Sequence, residues 1–337
     1  MNGSPAGFRF AEDSLGKIPV PVGRYYGAQT ARSLKNFNIC SKSDKMPLQI
    51  IYSLAMIKEV AASINFKLGR INKEISQAII QACHEVYQGQ HDEEFPLVIW
   101  QTGSDTNGAT KTRCVDMYKE SPPVVDLIFK PAKNKFAALA GHDALLQLSG
   151  SFNTIATALM RLANDFCLLS SGPSCGLNEF ILPANEPGSS IMPGKVNPTQ
   201  CESLRMVCLQ IMGNHFTISM AASQGQLELN VYKPLIIANL LHSCELLSDS
   251  TRCFTDNCVK GLKLNLDQIQ EYVNKSLMLV TVLTPHIGYD LSAELVKYAI
   301  KFKKGLRESV IELNLLNEEK FDEIVKPYEM AFPYSKI

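Results

Sequence analysis

The longest regular pattern of apolar and polar positions lies in the middle of the chain. Apolar residues recur there at alternating spacings of three and four, at Leu145, Leu148, Phe152, Ile155, Leu159, Leu162, Phe166 and Leu169. Such an a/d seam, sustained over several heptads, predicts one long helix packed nearly parallel to other helices. Gly172 and Pro173 predict the end of this helix.

Four further helices are predicted from caps, helix-ending glycines and apolar stripes. They cover residues 47–67, 72–88, 197–221 and 234–254. Pro47 and Pro198 suit first helical turns, and Asn72 and Asn197 are placed as N-terminal caps. Three long helices with short connections indicate a helical bundle.

The rest of the chain is less regular. Prolines and glycines make the first forty-odd residues irregular in this interpretation, and residues 101–134 show no clean period. Strand signals are sparse, so the predicted class is mainly α. The pattern changes from mixed to long-helical near residue 130 and to shorter helices near residue 265. These changes predict three domains: a mixed N-terminal domain (1–130), a central helical bundle (131–264) and a small C-terminal helical domain (265–337).

Composition excludes several classes of protein. Of the 337 residues 46% are hydrophobic and 20% charged, which argues against a disordered chain. Lys+Arg 33 against Asp+Glu 33 leaves no basic excess for nucleic acid, and no apolar run is long enough to predict a membrane span.

The ten cysteines form no CxxC pair, which argues against a zinc site and favours free thiols in a reducing compartment. Residues 1–5 resemble neither a signal peptide nor a transit peptide. We therefore expect a cytoplasmic protein, with mitochondria as the alternative.

The segment 185–198, NEPGSSIMPGKVNP, carries the strongest chemical signal. Gly188 and Gly194 let backbone N–H groups point at an anion, and Lys195 and Asn197 add side-chain donors. The helix predicted to begin at Asn197 favours negative charge at its N-terminus. The segment therefore predicts a site for a small carboxylate or phosphate. The alternative is a polar connection between helices, with Asn197 as a cap only.

Residues 188–198 also match the signature of the fumarase/aspartase superfamily, and residues 199–202, TQCE, resemble class II fumarases. Further segments agree with that family: residues 25–30, 95–104, 228–231 and 276–290. The resemblance runs from about Phe8 to the end of the chain.

The resemblance is interrupted once. Asp105 stands where the family has glycine, and the match decays beyond Asn107 and resumes at Lys133. About 25 residues replace a family segment of well over a hundred. That segment carries two bundle helices, a substrate-binding Ser-Ser-Asn-Asp motif and the active-site histidine of a Thr-His motif. The six histidines of this chain do not match it, and His84 and His242 are predicted to be structural.

The resemblance implies the reversible addition of water to fumarate, giving L-malate, as in the tricarboxylic acid cycle. Such a carbon–oxygen lyase needs no metal and no organic cofactor. By motif position Ser189 matches the catalytic base, and Glu202 matches the carboxylate that pairs with the active-site histidine. The positions that match substrate-binding residues are Ser104, Thr106, Ser190, Lys195 and Asn197.

Some of these residues have other interpretations. Glu202, one turn into a predicted helix, also suits a surface acid favoured by the helix dipole. Ser104 and Thr106 also suit turn-forming hydroxyls, and Asp105 between them puts negative charge where a dianion would bind.

The resemblance also implies a homotetramer whose active sites combine three segments from three subunits. The expected partners are a small dicarboxylate and either further copies of the chain or full-length fumarase subunits, with no nucleic acid and no membrane. Since one segment is missing, we expect little turnover by the isolated chain. The alternative function is that of a catalytically inactive, shortened homologue that co-assembles with full-length subunits.

Overall fold

Residues 7–100, 132–186 and 188–332 are described by the computed structural model of the protein, and most of them are helical. The helices are α1 Ala28–Asn36, α2 Leu48–Lys67, α3 Lys73–Tyr87, α4 Lys135–Ala140, α5 Asp143–Leu169, α6 Thr199–Ala222, α7 Lys233–Asn257, α8 Leu266–Lys275, α9 Val280–Ile287, α10 Tyr289–Phe302, α11 Leu306–Glu312, α12 Glu318–Ile324 and α13 Pro327–Ala331. The strands are β1 Phe8–Asp13, β2 Gly16–Pro21, β3 Phe180–Ile181 and β4 Lys263–Leu264. The predicted mainly α class is confirmed.

The chain divides into two compact units. One comprises residues 1–160 and 204–251, and the other comprises residues 161–203 and 252–337. The three-domain division stays a prediction. None of the helices in the described ranges is both long and apolar enough to cross a bilayer. The nine cysteines in those ranges are free thiols.

A β-hairpin near the N-terminus corrects the prediction of an irregular start. β1 and β2 pair antiparallel, with Asp13 opposite Gly16 and the Asp13 carboxylate accepting a hydrogen bond from Leu15 N at 2.9 Å. Val22 N donates to Gly7 O at 3.0 Å, so Pro19 and Pro21 fall at alternate, non-hydrogen-bonded positions. Prolines at these positions remove no ladder hydrogen bond, so they are compatible with the strand.

Helix α1 is tied to this hairpin by one arginine. Arg32 Nε lies 2.8 Å from Asp13 Oδ2, and Arg32 Nη2 donates to Gly16 O at 2.7 Å. The hydrogen bond from Arg32 holds the pKa of the Asp13 carboxyl below its usual value. Because that pKa is lowered by folding, the contact stabilises the hairpin at neutral pH, and its contribution is lost as the pH falls through the lowered pKa.

Helices α2 and α3 agree closely with the sequence prediction. α2 begins at Leu48 with Pro47 as its cap residue, one position later than predicted. The predicted cap of α3 is confirmed, because Asn72 Oδ1 accepts a hydrogen bond from Ile75 N at 2.8 Å. His84 Nε2 lies 3.1 Å from Glu59 Oε1, so this histidine links α3 to α2.

The long helix predicted from the a/d seam is confirmed as α5, and part of its apolar seam is uncovered. Leu148, Ile155 and Leu162 of the seam are exposed. The fully buried line consists of small residues seven apart, namely Ser149, Ala156 and Ala163. Spacing fixes which residues share a face, but it does not identify which of two adjacent faces is covered.

A core cluster joins α5, α6 and α7 within the first unit. Its buried members are Ile218, Ala221, Ile236 and Leu240, and Leu145, Leu146 and Phe152 of α5 pack against them. Polar side chains lie in the same layer of helices. Asn214 is 3% exposed; it accepts from Gln210 at 2.8 Å and donates to Ser243 Oγ at 3.0 Å. His242 Nδ1 lies 3.3 Å from the Asn214 amide nitrogen.

The C-terminal helices have a core of their own within the second unit. Its buried residues are Leu283, Leu295, Ala299, Leu306, Val310 and Phe321. On the surface, the Arg307 guanidinium donates to both carboxylate oxygens of Asp322 at 2.9 Å.

Helix α6 has apolar residues on two faces. The buried face includes Cys201, Leu204, Cys208, Ile211, Ile218 and Ala221. A second line, which we call the outer line, is exposed and consists of Met206, Leu209, Phe216 and Met220. Its three- and four-residue spacing, completed by Gly213, repeats the a/d pattern of a helix that packs on both sides. Exposed apolar surface of this kind promotes association.

We therefore expect the chain to form oligomers or to aggregate at micromolar concentration, and expect Met206→Glu to reduce this. A charge in the outer line makes burial against a second helix unfavourable. Light scattering measures the effect, with Met278→Glu as the matched control, because Met278 is exposed outside that line. A sharp monomer peak for the unmodified chain would contradict the prediction.

The buried amide of Asn214 gives a second prediction. Asn214→Ala removes hydrogen bonds made in a buried setting and is expected to lower the free energy of unfolding by about 1–3 kcal/mol. Asn274→Ala is the matched control, because Asn274 is an exposed helical residue, and its effect should stay within about 0.5 kcal/mol. Urea denaturation measures both, and equal effects of the two substitutions would contradict the prediction.

Candidate functional site

The segment predicted to bind an anion connects β3 to α6. We call residues 182–198 the site loop. Its entry is fixed by β3, which pairs with β4 through Phe180 opposite Leu264. The Phe180 ring packs edge-on against Phe166, with ring centroids 5.2 Å apart. Pro183 lies against Gly261, where an added Cβ would be only 3.0 Å from the proline ring.

The site loop is closed by hydrogen bonds between its two halves. Gly188 N donates to Lys195 O at 3.1 Å, and Asn197 Nδ2 donates to Gly188 O at 2.7 Å. An added Cβ at Gly188 would lie 2.3 Å from Lys195 O, so only glycine permits this approach. Gly194 has φ +77°, a backbone conformation in which L-residues are strained. Gly188 and Gly194, which were predicted to form part of an anion site, thus determine the backbone conformation of the site loop.

Ser189 is half-buried at the centre of this arrangement. Its Oγ accepts hydrogen bonds from Ile191 N and Met192 N, both at 3.1 Å. Two N–H donors aimed at one hydroxyl oxygen favour negative charge on that oxygen. A serine needs this kind of assistance to act as a base, because its free hydroxyl is too weak. Ser190, next to it, is exposed.

A cavity of about 500 Å³ opens at the site loop, and its lining includes Glu186, Ser189, Met192 and Lys195. Lys195 is exposed, and within residues 7–100, 132–186 and 188–332 no carboxylate forms an ion pair with it. The ammonium group is therefore available to an anionic ligand. The cavity combines this cation, which can pair with a carboxylate, with a hydroxyl oxygen that is polarised by backbone amides.

The start of α6 differs slightly from the prediction. The helix begins at Thr199, two residues after the predicted start at Asn197, and the Asn197 amide donates to Gly188 O. Asn197 therefore closes the site loop. Glu202 lies exposed in the first turn of α6, a position that the helix dipole favours for an acid. Its role beside a histidine stays a prediction.

The structure brings together only part of the predicted site. Ser189, Ser190, Lys195 and Asn197 share the site loop, and Glu202 follows in the first turn of α6. Ser104 and Thr106, with Asp105 between them, lie outside the described residues.

Sequence reasoning did not assign a role to Asn185. Its Nδ2 donates to Asn257 O at 2.7 Å and ties the site loop to the end of α7. The acceptor is a main-chain carbonyl 72 residues away, which leaves no signal in the sequence.

Comparison with family profiles matches most of the chain. A profile described as "Lyase" matches residues 16–115 and 123–213, and one described as "Fumarase C C-terminus" matches residues 279–331.

Curated relatives are similar over nearly the whole chain. The "Fumarate hydratase" of Schistosoma mansoni is 56% identical, covering 97% of this chain and 98% of the relative. The "Fumarate hydratase, mitochondrial" of Mus musculus is 36% identical, covering 97% and 91%. The "Fumarate hydratase class II" of Thermosynechococcus vestitus is 38% identical, covering 94% and 97%. The first alignment spans 477 positions against 337 residues here, so at least 140 positions have no residue in this chain.

Solved structures show the same similarity. A class II fumarase from Schistosoma mansoni aligns with a TM-score of 0.89 at 55% identity, covering 97% of this chain and 100% of that one. A fumarate lyase:delta crystallin from Brucella melitensis aligns with a TM-score of 0.83 at 26% identity, covering 95% and 100%.

The close approach at Gly188 predicts that Gly188→Ala opens the site loop, because the new methyl group would overlap Lys195 O. Amide hydrogen exchange over residues 188–197 should become faster by about tenfold or more, a change of at least 1.4 kcal/mol in the opening free energy. Gly213→Ala is the control, because an added Cβ there meets nothing within 4 Å. Unchanged exchange in Gly188→Ala would contradict the prediction.

Proposed function

The chain belongs to the class II fumarate hydratases of the fumarase/aspartase superfamily of lyases, and on this premise we propose that it catalyses the reversible hydration of fumarate to L-malate. The observation that carries the proposal is the site loop, where Ser189 accepts two backbone hydrogen bonds beside a lysine with no carboxylate partner in the described parts of the chain. One short segment thus supplies both the positive charge, on Lys195, and the proposed base, Ser189.

In the dehydration direction, the proposed base is Ser189. It removes the proton from the carbon next to a malate carboxylate, and negative charge builds up on that carboxylate until hydroxide leaves from the neighbouring carbon and the double bond forms. Preorganised donors that stabilise this charge usually provide the largest catalytic contribution. The amides of Ile191 and Met192 meanwhile favour the ionised form of the Ser189 oxygen.

Lys195 is the proposed partner of a substrate carboxylate. It lines the same cavity as Ser189, and its ammonium charge offsets part of the charge of a dicarboxylate. Asn197 is proposed to contact the same substrate carboxylate. Its amide also closes the site loop by donating to Gly188 O. The proposed reaction thus runs on proton transfer and charge neutralisation, without a metal or an organic cofactor.

Four further residues have proposed roles taken from the family. Ser104, Thr106 and Ser190 are proposed to donate hydrogen bonds to the substrate, and Glu202 to assist a histidine. Among them the structure describes Ser190 and Glu202, and both are exposed. Exposure keeps these two side chains accessible to a substrate or to a neighbouring subunit.

Self-assembly is part of the proposal. The outer line of α6 exposes four large apolar residues at helical-packing spacing, which favours burial against a second copy of the chain. We propose a homo-oligomer, with a tetramer as the expected form. Mixed oligomers with full-length fumarase are a further proposal.

A second candidate function is that of an inactive homologue that acts within such mixed oligomers. The difference in length favours it, because at least 140 aligned positions of the Schistosoma relative have no residue here. The proposed compartment for either function is the cytoplasm, with mitochondria as the alternative.

The proposed function predicts that Ser189→Ala lowers the rate of fumarate hydration by about 10²–10⁴-fold, the usual contribution of general acid–base catalysis. The ultraviolet absorbance of fumarate measures the rate in both directions. Ser203→Ala is the matched control, because Ser203 is exposed on α6, outside the site loop.

The same assay separates the two candidate functions. A purified chain that hydrates fumarate and loses this activity in Ser189→Ala supports the hydratase. An inert chain that restores turnover to a catalytically crippled full-length fumarase supports the co-assembling homologue. Absence of activity both in the purified chain and in its mixture with the crippled fumarase would contradict both candidate functions.

A further inference from the structure

Both ends of the site loop are attached to the same part of the protein, the last turn of α7. Asn185 lies near the start of the loop, and Gln200 lies in the first turn of α6, just after its end. Each contacts Cys253 or Asn257, which are one helical turn apart near the end of α7. All four residues belong to the second compact unit.

The first attachment uses a backbone group at a helix end. Asn185 Nδ2 donates to Asn257 O at 2.7 Å. The last four carbonyl groups of a helix have no partner within it, so the C-terminal end of α7 presents acceptors. The side-chain amide of Asn185 satisfies one of them and holds the start of the site loop against the helix.

The second attachment passes through a thiol. Cys253 Sγ lies 3.2 Å from Gln200 Oε1 and donates to it, and Asn257 Nδ2 donates to Cys253 Sγ at 3.3 Å. Together with the Asn185 contact, these bonds form a continuous chain from Gln200 through Cys253 and Asn257 to Asn185. We call these four residues the clamp.

A buried contact lies next to the clamp. Cys201 and Cys258 are 0% and 2% exposed; burial raises the pKa of the Cys258 thiol, and a hydrogen bond with the Cys201 thiol partly opposes that shift. These cysteines directly follow Gln200 and Asn257 in the sequence. The first turn of α6 therefore meets the end of α7 through packed side chains as well as through exposed hydrogen bonds.

We propose that Asn185, Gln200 and Cys253 are positioning residues that hold the site loop in its binding geometry. The inference rests on the proposed function, because the residues they position are Ser189 and Lys195. A glycine-containing loop has much conformational freedom, and fixing both of its ends on one helix reduces the entropy lost when a ligand orders it. Preorganisation of this kind improves binding and catalysis without contact with the substrate.

The clamp offers a conservative replacement at its centre. A serine hydroxyl at position 253 donates to Gln200 and accepts from Asn257, as the thiol does, whereas alanine does neither. Cys253→Ser therefore keeps the hydrogen-bond chain and Cys253→Ala breaks it. Asn185→Ala breaks the other attachment. Cys244→Ala serves as the control, because Cys244 is exposed on the same helix and lies outside the clamp.

The test uses the full chain and two measurements. The first is amide hydrogen exchange over residues 188–197, which reports loop order whether or not the protein is active. The second is calorimetric titration with succinate, a dicarboxylate of the same length as fumarate with no double bond to hydrate. Asn185→Ala and Cys253→Ala should speed exchange and weaken succinate binding about 3- to 10-fold, as expected for the loss of one or two hydrogen bonds. Cys253→Ser and Cys244→Ala should behave like the unmodified chain.

Two results would overturn the proposal. Unchanged loop exchange in both alanine variants would show that the clamp does not hold the loop. Faster exchange with unchanged succinate affinity would show that it holds the loop without positioning the site. Failure of the unmodified chain to bind succinate would instead count against the proposed function, and the exchange measurement would still decide whether the clamp holds the loop.

Discussion

Asn230 is fully buried in the turn between α6 and α7, and its side chain makes three hydrogen bonds there. Nδ2 donates to Ala221 O and Gln224 O, and Oδ1 accepts from Tyr232 N at 2.8 Å. One side chain thus satisfies backbone groups on both sides of the turn that reverses the chain. The pairing of α6 with α7 begins at this turn, and it is the constraint that sets the course of both helices.

Side chains of α6 and α7 are hydrogen-bonded to each other in both compact units. In the first unit Asn214 of α6 bonds Ser243 of α7, and in the second unit Gln200 of α6 bonds Cys253 of α7. The start of α6 therefore lies beside the end of α7. The site loop runs directly into α6, and its geometry follows from this contact as well as from the hydrogen bonds within residues 188–197.

The sequence is sufficient for features that depend on local rules. Apolar spacing predicted α5 to within two residues, and the Asn72 cap of α3 is made as expected. The glycines and the lysine of the site loop were found because their backbone and charge requirements are local. The signature of the family includes the same residues, so the sequence predicts both the fold class and the site loop.

Features that depend on contacts distant in sequence were not accessible. The covered line of α5 was not predicted, because it consists of small residues, while Leu148, Ile155 and Leu162 beside it are exposed. The β-hairpin is a local feature, but it was also missed, because Pro19 and Pro21 are compatible with a strand only in the register observed. Asn185 gave no signal, because its partner is a backbone carbonyl on a remote helix.

Catalysis and assembly are linked in the proposed function by the position of Glu202. Its carboxylate is exposed in the first turn of α6, and the structure gives it no hydrogen-bond partner in the described ranges. The outer line begins one turn further along the same helix, at Met206. In a mixed oligomer, a full-length subunit would supply the histidine that Glu202 is proposed to assist, because that histidine belongs to the segment that this chain lacks.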